Sequence, residues 1–154
     1  MTIILIPLFG IALCTTTLGN RYWKRYTTTC IDETGEFVIN IPHAGMKQAW
    51  QVCGSISLAR QPEADKFALA NLTPAPAAKV KAPLIAECPV NIECKLLSVT
   101  RFGDHDLFAG QALIHHVSRE LLDKNGKIDP AKFSTVVLAG GHFFDVGKHL
   151  RAWH

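Results

Sequence analysis

The longest extended pattern in the sequence covers residues 85–100, and it constrains the fold more than any other feature of the chain. The segment Phe-Gly-Asp-His follows at residues 102–105, and glycine beside aspartate is typical of a reverse turn. Residues 107–117 then form a second extended segment. Two extended segments joined by a short turn form a β-hairpin, so this pattern predicts an antiparallel sheet.

A shorter segment, residues 36–41, shows the clearest two-residue alternation. Phe37, Ile39 and Ile41 fall on one face of a strand, and the residues between them fall on the other. Pro42 follows directly and would end the strand, because proline cannot donate a ladder hydrogen bond. The segment therefore predicts a strand with one face in the core.

Residues 1–14 form an apolar run that invites comparison with a signal peptide. No basic residue precedes Arg21, and Pro7 interrupts a run that is too short to span a bilayer. We therefore interpret residues 8–17 as a buried strand, with a cleaved or membrane-associated segment as the alternative.

The helices that the sequence predicts are short. Thr27 is a plausible N-cap of a helix over residues 27–34, with Gly35 at its C-terminal end. A second helix is indicated by apolar residues at helical spacing, and a third is expected to open at Pro62 and run to about Ala70. The apolar residues of the second helix are Met46, Ala49, Trp50 and Cys53.

Strands therefore outnumber helices in the predicted fold. Residues 72–83 contain three prolines and are expected to form a loop. Residues 135–139 predict a last strand before two glycines, and His142 is expected to lie in the loop after them. The pattern favours a mainly β fold with short helices, arranged as a small antiparallel barrel with helices packed on its ends.

The composition fits one globular domain. The 154 residues are 48% hydrophobic and 19% charged, which excludes a disordered chain and predicts a single domain over residues 1–154. A net charge of +3 does not indicate a nucleic-acid-binding protein. The five cysteines include no C-x-x-C pair, so we interpret them as mostly buried thiols of a protein in a reducing compartment, the cytoplasm.

Thr27 and Lys66 form the first candidate site. The N–H groups of a helix's first turn are free and lie at the positive end of its dipole, so a helix that opens at Thr27 offers a place for an anion. Lys66, on another short helix, would add a full countercharge. An N-cap threonine is nevertheless structural in most proteins, and a lysine on an exposed helix is usually solvated.

Residues 53–57, Cys-Gly-Ser-Ile-Ser, are predicted to form a small-residue loop between two helices. Gly54, Ser55 and Ser57 carry little bulk, so a ligand could approach the backbone closely. The alternative is a plain helix C-terminus with a glycine stop, and the spacing alone favours it.

The histidines do not predict a metal site. His115 and His116 are neighbours on a predicted strand, so they should face opposite sides, one the core and the other solvent. The other histidines show no ligand spacing.

Several segments, taken in order, resemble the flavin reductase-like family, the FMN-binding split barrels that include flavoredoxin. Residues 25–27 and 31–42 are similar to its R-Y-T…I-x-E-T-G-E-F-V-V-N-I-P stretch, and residues 83–94 match P-x-I-x-E-x-P-V-x-L-E-C. Further similar segments are residues 53–57, 65–67, 71–73, 103–111 and 141–147. The resemblance covers roughly residues 21–150 and rests on the order and spacing of these segments.

The resemblance implies a split β-barrel with FMN as its cofactor. In that family the threonine of R-Y-T and the lysine of D-K-F hold the FMN phosphate, and these are Thr27 and Lys66 here. The other cofactor-binding residues that it implies are Arg25, Tyr26, Gly54, Ser55, Ser57 and Asp65.

The resemblance also implies an oxidoreductase in which NAD(P)H reduces the flavin and electrons pass to free flavin, a partner protein or oxygen. Family members are typically homodimers with FMN near the subunit boundary. We therefore expect a homodimer, an electron-acceptor protein as a further partner, and neither a membrane nor a nucleic acid among its partners.

The sequence departs from the family pattern at its N-terminus. Family members begin with a pair of strands, ahead of the equivalent of Pro7, that contact the flavin ring, whereas only residues 1–6 precede Pro7 here. The chain is therefore expected to be N-terminally truncated and to lack its first strands. A second departure is Asn71, where the family favours glycine, although asparagine can also adopt a positive φ.

Two other functions compete with a flavin reductase. One is a non-catalytic module, left by the truncation, that binds FMN or another anion or serves in dimerisation. The other is a small barrel for single-stranded nucleic acid, for which residues 21–26 have the basic and aromatic composition. The second is the less favoured, because the cluster directly precedes the candidate phosphate threonine.

Overall fold

The computed structural model describes residues 9–14, 16–18, 21–23, 26–102, 105–139 and 142–146. The strands are β1 (Phe9–Cys14), β2 (Thr16–Leu18), β3 (Arg21–Trp23), β4 (Glu36–Ile41), β5 (Pro74–Ala75), β6 (Leu84–Ile85), β7 (Val90–Phe102), β8 (His105–Val117), β9 (Val136–Ala139) and β10 (His142–Asp145). The helices are α1 (Tyr26–Thr34), α2 (Lys47–Ser55) and α3 (Lys66–Ala70), with short 3-10 turns at Ala44–Met46 and Arg119–Leu121.

The long antiparallel strands β7 and β8 form the centre of the fold. Their pairing runs from Val90 opposite Val117 to Phe102 opposite His105, which confirms the predicted hairpin. The sheet has the order β1-β8-β7-β4, and three two-stranded pairs join β2 with β3, β5 with β6 and β9 with β10. The fold is thus mainly β and antiparallel, with few short helices, as predicted.

The core lies on the face of this sheet that α1 covers. Phe37 of β4 is 4% exposed, and Ile39 and Ile41 pack against the same cluster, so the alternation predicted for residues 36–41 is confirmed. The buried cluster consists of Ile31, Phe37, Val90, Ile92, Cys94, Phe108, Ala112 and Leu121.

A β-bulge interrupts the pairing of β7 with β8. Glu93 pairs with Ile114, but Cys94 pairs with Ala112, so Leu113 is the extra residue on β8. An extra residue reverses the alternation of inward and outward side chains along the strand beyond it.

The bulge decides how the two adjacent histidines are oriented. His115 lies opposite Ile92, on the core side of the sheet, and is buried. His116 therefore lies on the other face, where its ring nitrogen Nε2 is 2.6 Å from an oxygen of Glu93. The prediction that the pair faces opposite sides is confirmed, but His116 contacts a buried carboxylate rather than solvent alone.

Residues 73–89, which connect α3 to β7, form a segment that we call the strap. Most of the loop predicted for residues 72–83 is irregular, as expected from its prolines. The strap nevertheless contains the two-residue strands β5 and β6, which pair with each other and bring its two ends together.

The predictions for the two ends of the chain were less accurate. The predicted N-terminal strand is divided into β1 and β2, and its first residue, Leu8, lies outside the described residues. The strand predicted over residues 135–139 is confirmed as β9, but it is not the last strand, because β10 follows and pairs with it. Two glycines between strands are a composition typical of a hairpin connection, and His142 accordingly lies on a strand rather than in a loop.

Gly110→Ala is expected to lower the free energy of unfolding by about 1–3 kcal/mol, because the added methyl group would collide with the ring of Phe37 and lie 3.3 Å from Cβ of Cys94. Gly54→Ala is a matched control, since its methyl group would meet nothing within 4 Å. Alanine in a helix is more stable than glycine, so this control should raise stability by up to about 1 kcal/mol. Equilibrium urea unfolding measures both variants, and an unchanged Gly110→Ala protein would contradict the packing of β8 on Phe37.

Candidate functional site

The first turn of α1 presents two threonines in different environments. Tyr26 and Thr27 are exposed, whereas Thr28 is fully buried and its hydroxyl group has no hydrogen-bond partner among the described residues. Because α1 begins at Tyr26, Thr27 has a helical conformation, and the prediction that it is the N-cap was wrong. Thr27 still lies where backbone N–H groups are free to meet an anion. Arg25 lies outside the described residues.

Lys66 connects the beginning of α3 to the end of α2. Its ammonium group Nζ donates a hydrogen bond to the carbonyl oxygen of Cys53 at 3.0 Å, and its side chain is half-buried. A positive charge is favourable at a helix C-terminus, where carbonyl groups are unpaired and the dipole is negative. The contact therefore stabilises α2 and places the ammonium group beside its last turn.

The last turn of α2 contains Gly54 and Ser55, so most of residues 53–57 form the helix C-terminus that the spacing favoured and not a loop, although Gly54 does not end the helix. Both residues are exposed, and the Ser55 hydroxyl group donates to the carbonyl oxygen of Val52 at 3.0 Å. The helix continues past Gly54 to Ser55, and the peptide N–H of Ile56 still bonds to the Val52 carbonyl. The open space above Gly54 leaves room for a ligand.

Ser57 follows in a turn, where its carbonyl oxygen accepts hydrogen bonds from the N–H groups of Arg60 and Gln61, 2.9 and 3.0 Å away. The chain then reaches Asp65, whose carboxylate accepts the N–H of Ala68 at 3.1 Å. Asp65 is therefore the N-cap of α3, and the prediction that this helix opens at Pro62 was wrong.

The structure thus brings part of the predicted site together. Lys66 lies beside the turn of Gly54 and Ser55, with Asp65 holding the helix on which Lys66 stands. Within the described residues, no hydrogen bond or ion pair connects Tyr26 or Thr27 to this group, so their part in one site stays a prediction.

The sequence analysis missed Glu93, a fully buried carboxylate on β7. One of its oxygens accepts the N–H of Ala78 at 2.8 Å, and the other accepts those of Lys79 and Val80 at 2.6 and 3.1 Å. Burial disfavours the charged form, but these hydrogen bonds and the one from His116 outweigh it and hold the pKa of Glu93 below its ordinary value. The carboxylate is ionised at neutral pH, so it accepts and His116 Nε2 donates.

Asparagine side chains extend this polar face of the sheet. The N–H of Ile85 donates to Oδ1 of Asn40 at 3.1 Å and to Oδ1 of Asn91 at 3.3 Å. The amide group of Asn91 in turn donates to the carbonyl oxygen of Cys88 at 2.9 Å. Side chains of the sheet therefore satisfy the backbone of the strap along much of its length.

The sequence contains a pattern for the polar face of β7, but this pattern fits a face in water as well as a face covered by another segment. Val90, Asn91, Ile92, Glu93 and Cys94 alternate apolar and polar residues, which is the usual pattern of a strand with one face in water. All of these residues are buried, because the strap covers the polar face. The pattern alone could not distinguish water from a covering segment.

Cys30, Cys53, Cys88 and Cys94 are free thiols. Burial raises the pKa of both Cys88 and Cys94 to about 11, so both stay protonated at neutral pH. Burial also lowers the pKa of His115, which favours a neutral ring.

In the part of the chain that the structure describes, histidine, cysteine, aspartate and glutamate side chains form no group of three or more that could hold a metal ion. None of the helices there has the length and apolar character needed to cross a bilayer.

Glu93→Gln is expected to lower the free energy of unfolding at pH 7 by roughly 2–4 kcal/mol, because a neutral amide replaces a charge that accepts several buried donors. A carboxylate whose folded pKa is depressed adds stability above its unfolded pKa and loses it as the pH falls through the folded pKa. The difference from the wild type should therefore shrink in acid, when the wild-type group is also protonated. Urea unfolding at neutral and acidic pH measures this, and a difference that stays constant with pH would contradict an ionised Glu93.

A family comparison covers most of the chain. The model of the flavin reductase-like domain matches residues 7–145, so the match begins earlier than the motifs alone indicated. A protein of Archaeoglobus fulgidus is 38% identical over 107 residues, which are 69% of this chain and 57% of that protein. A protein of Aquifex aeolicus is 31% identical over 112 residues, 73% of this chain and 56% of that one. The chain thus spans a little over half the length of these curated relatives.

Solved structures with the same fold include flavoredoxin of Desulfovibrio vulgaris, with 30% identity and a TM-score of 0.76 over 93% of this chain and 73% of that one. An FMN-binding protein of Thermus thermophilus has 25% identity and a TM-score of 0.72, covering 95% of this chain and 73% of that one. A split-barrel protein of Shewanella frigidimarina, 19% identical, shares the fold with a TM-score of 0.69 over 99% of this chain and 75% of that one. The chain belongs to the flavin reductase-like family and has its split-barrel fold.

Proposed function

We propose that the protein binds FMN and acts as an oxidoreductase of the flavin reductase type. The observation that carries this proposal is the similarity to flavoredoxin, 30% identical over 93% of the chain, together with a half-buried lysine beside an open, small-residue turn. The FMN-binding protein of Thermus thermophilus supports the choice of cofactor.

Lys66 is suited to hold the FMN phosphate. A lysine ammonium group carries three N–H donors, and the carbonyl oxygen of Cys53 takes one of them. The remaining donors and the full positive charge are available to phosphate oxygens, and such charge-assisted hydrogen bonds are stronger than neutral ones. Because the side chain is already held by Cys53, it loses little freedom on binding.

The other residues of the site fit the same ligand. The exposed turn of Gly54 and Ser55 adds no bulk in front of Lys66, and the space above Gly54 is open. The hydroxyl group of Thr27 and the free N–H groups of the first turn of α1 would add neutral donors to the phosphate.

When bound, FMN supplies the redox chemistry, accepting a hydride from NADH or NADPH and passing electrons to free flavin, a partner protein or another acceptor. The residues of this chain bind and orient the cofactor through its phosphate. We further propose that the protein is a homodimer in the cytoplasm.

The experiment is an absorption spectrum of the purified chain after FMN is added and the excess removed, followed by an assay of NADH and NADPH oxidation. Retained flavin with oxidation of either nicotinamide supports the proposal. Retained flavin without oxidation would favour a non-catalytic FMN-binding module. A chain that retains no flavin would contradict the proposed cofactor.

Lys66→Ala is expected to weaken FMN binding by about 1.5–3 kcal/mol, because a charge-assisted contact to the phosphate is lost. Lys124→Ala is a control with the same change of net charge, since Lys124 is exposed in the turn after the second 3-10 turn and belongs to none of the site elements. Fluorescence titration with FMN measures both variants. Equal affinity of the Lys66→Ala and Lys124→Ala proteins would show that Lys66 does not contact the phosphate.

A further inference from the structure

The helix that carries Lys66 is too short to be stable alone. α3 has five residues, and isolated helices need roughly 12–15 residues to be even marginal in water. Of these five residues only Ala70 is buried, and Leu69 is 56% exposed. A cavity of about 310 Å³ lies between the end of α3 and α2, so packing does not fill this side of the helix.

Hydrogen bonds at its two ends hold α3 instead. Asp65 caps the beginning, as described above. At the other end Asn71 adopts a left-handed conformation with φ of 53°, and the N–H of Leu72 donates to the carbonyl oxygen of Phe67 at 2.8 Å. The position of this end then depends on what holds the next residue, Thr73.

Glu87 holds Thr73. The N–H of Thr73 points between the two carboxylate oxygens of Glu87 and lies 3.0 Å from each. This hydrogen bond is the largest cause that lowers the pKa of Glu87, so the group is ionised at neutral pH. The N–H of Ala86 also donates to the carbonyl oxygen of Thr73 at 3.0 Å, which aligns the two segments.

The backbone of Glu87 is itself fixed to the sheet. On one side, the N–H of Ile85 bonds to Asn40 and Asn91. On the other side, the carbonyl oxygen of Cys88 accepts the amide group of Asn91. Hydrogen bonds and the short backbone segments between them therefore lead from the central sheet through Glu87 and Thr73 to the end of α3.

We propose that Glu87 is a positioning residue for the phosphate site: it anchors α3 so that the ammonium group of Lys66 stays at the end of α2. This inference rests on the proposed function, because it assigns Glu87 a role in that same site. Glu87 acts through Thr73 and α3 rather than by touching the cofactor.

The direction in which FMN affinity changes when Glu87 is replaced distinguishes a positioning role from a simple electrostatic effect of its charge. Removing a carboxylate makes the protein more positive, and this alone should strengthen the binding of a phosphate. Loss of an anchor should instead weaken it. A positioning role would affect the phosphate end alone, so FMN should lose affinity while riboflavin, which has the same ring and no phosphate, should not.

The test measures the dissociation constants of FMN and riboflavin for the full chain and four variants by fluorescence titration. Glu87→Ala removes the acceptor, and Glu87→Gln retains one neutral oxygen that can partly replace it. Glu63→Ala is the charge control, because Glu63 is exposed in the turn before α3. Lys66→Ala is the reference for loss of the phosphate contact, and urea unfolding confirms that each variant is folded.

We expect Glu87→Ala to reduce the preference for FMN over riboflavin roughly three- to tenfold, the size of one lost hydrogen bond. Glu87→Gln should recover part of that preference, and Glu63→Ala should leave it unchanged or increase it. If Glu87→Ala does not fold, a reduced preference in Glu87→Gln against Glu63→Ala supports the same conclusion.

Three results would overturn the inference. An unchanged preference in the Glu87 variants, with a reduced one in Lys66→Ala, would remove the positioning role and leave the phosphate site intact. A parallel loss of FMN and riboflavin affinity would show that Glu87 is merely structural. An unchanged preference in Lys66→Ala would remove the phosphate site itself, and the role of Glu87 with it.

Discussion

The buried carboxylate of Glu93 is the interaction on which the arrangement of the molecule depends. It accepts hydrogen bonds from Ala78, Lys79 and Val80 of the strap and from His116 on the neighbouring strand. A charge in the protein interior is stable only when it is well hydrogen-bonded, and the N–H groups of an irregular buried segment need acceptors equally. The sheet and the strap therefore satisfy each other's polar groups.

This interaction gives the central strand β7 two buried faces of different chemistry. Ile92 and Cys94 pack with Phe37 in the apolar core, whereas Asn91 and Glu93 face the strap. The bulge in β8 opposite Glu93 places His115 on the core face of the sheet and His116 on the face of Glu93. Apolar burial stabilises one face of β7, and specific hydrogen bonds fix the position of the strap on the other face.

The strap that Glu93 holds also carries Glu87, which bonds to the residue after the helix of the candidate site. Lys66 stands on a helix of five residues whose end is fixed by Glu87, a strap residue next to those that the sheet holds. A lysine anchored in this way presents its charge with less conformational freedom than one on a free surface helix. The fold is shared with flavoredoxin, but the chemistry of any one chain rests on its own site.

Elements with a local cause were predictable from the pattern of residues alone. Alternation defined β4, a turn between extended segments defined the β7–β8 hairpin, and apolar spacing located α2. The resemblance in motifs correctly identified the family. Contacts in the folded chain fix the start of α3 at Asp65, the second hairpin of β9 and β10, and the burial of Glu93. Each of these depends on a hydrogen-bond partner or a covering segment elsewhere in the fold, and a pattern of neighbouring residues contains no information about such contacts.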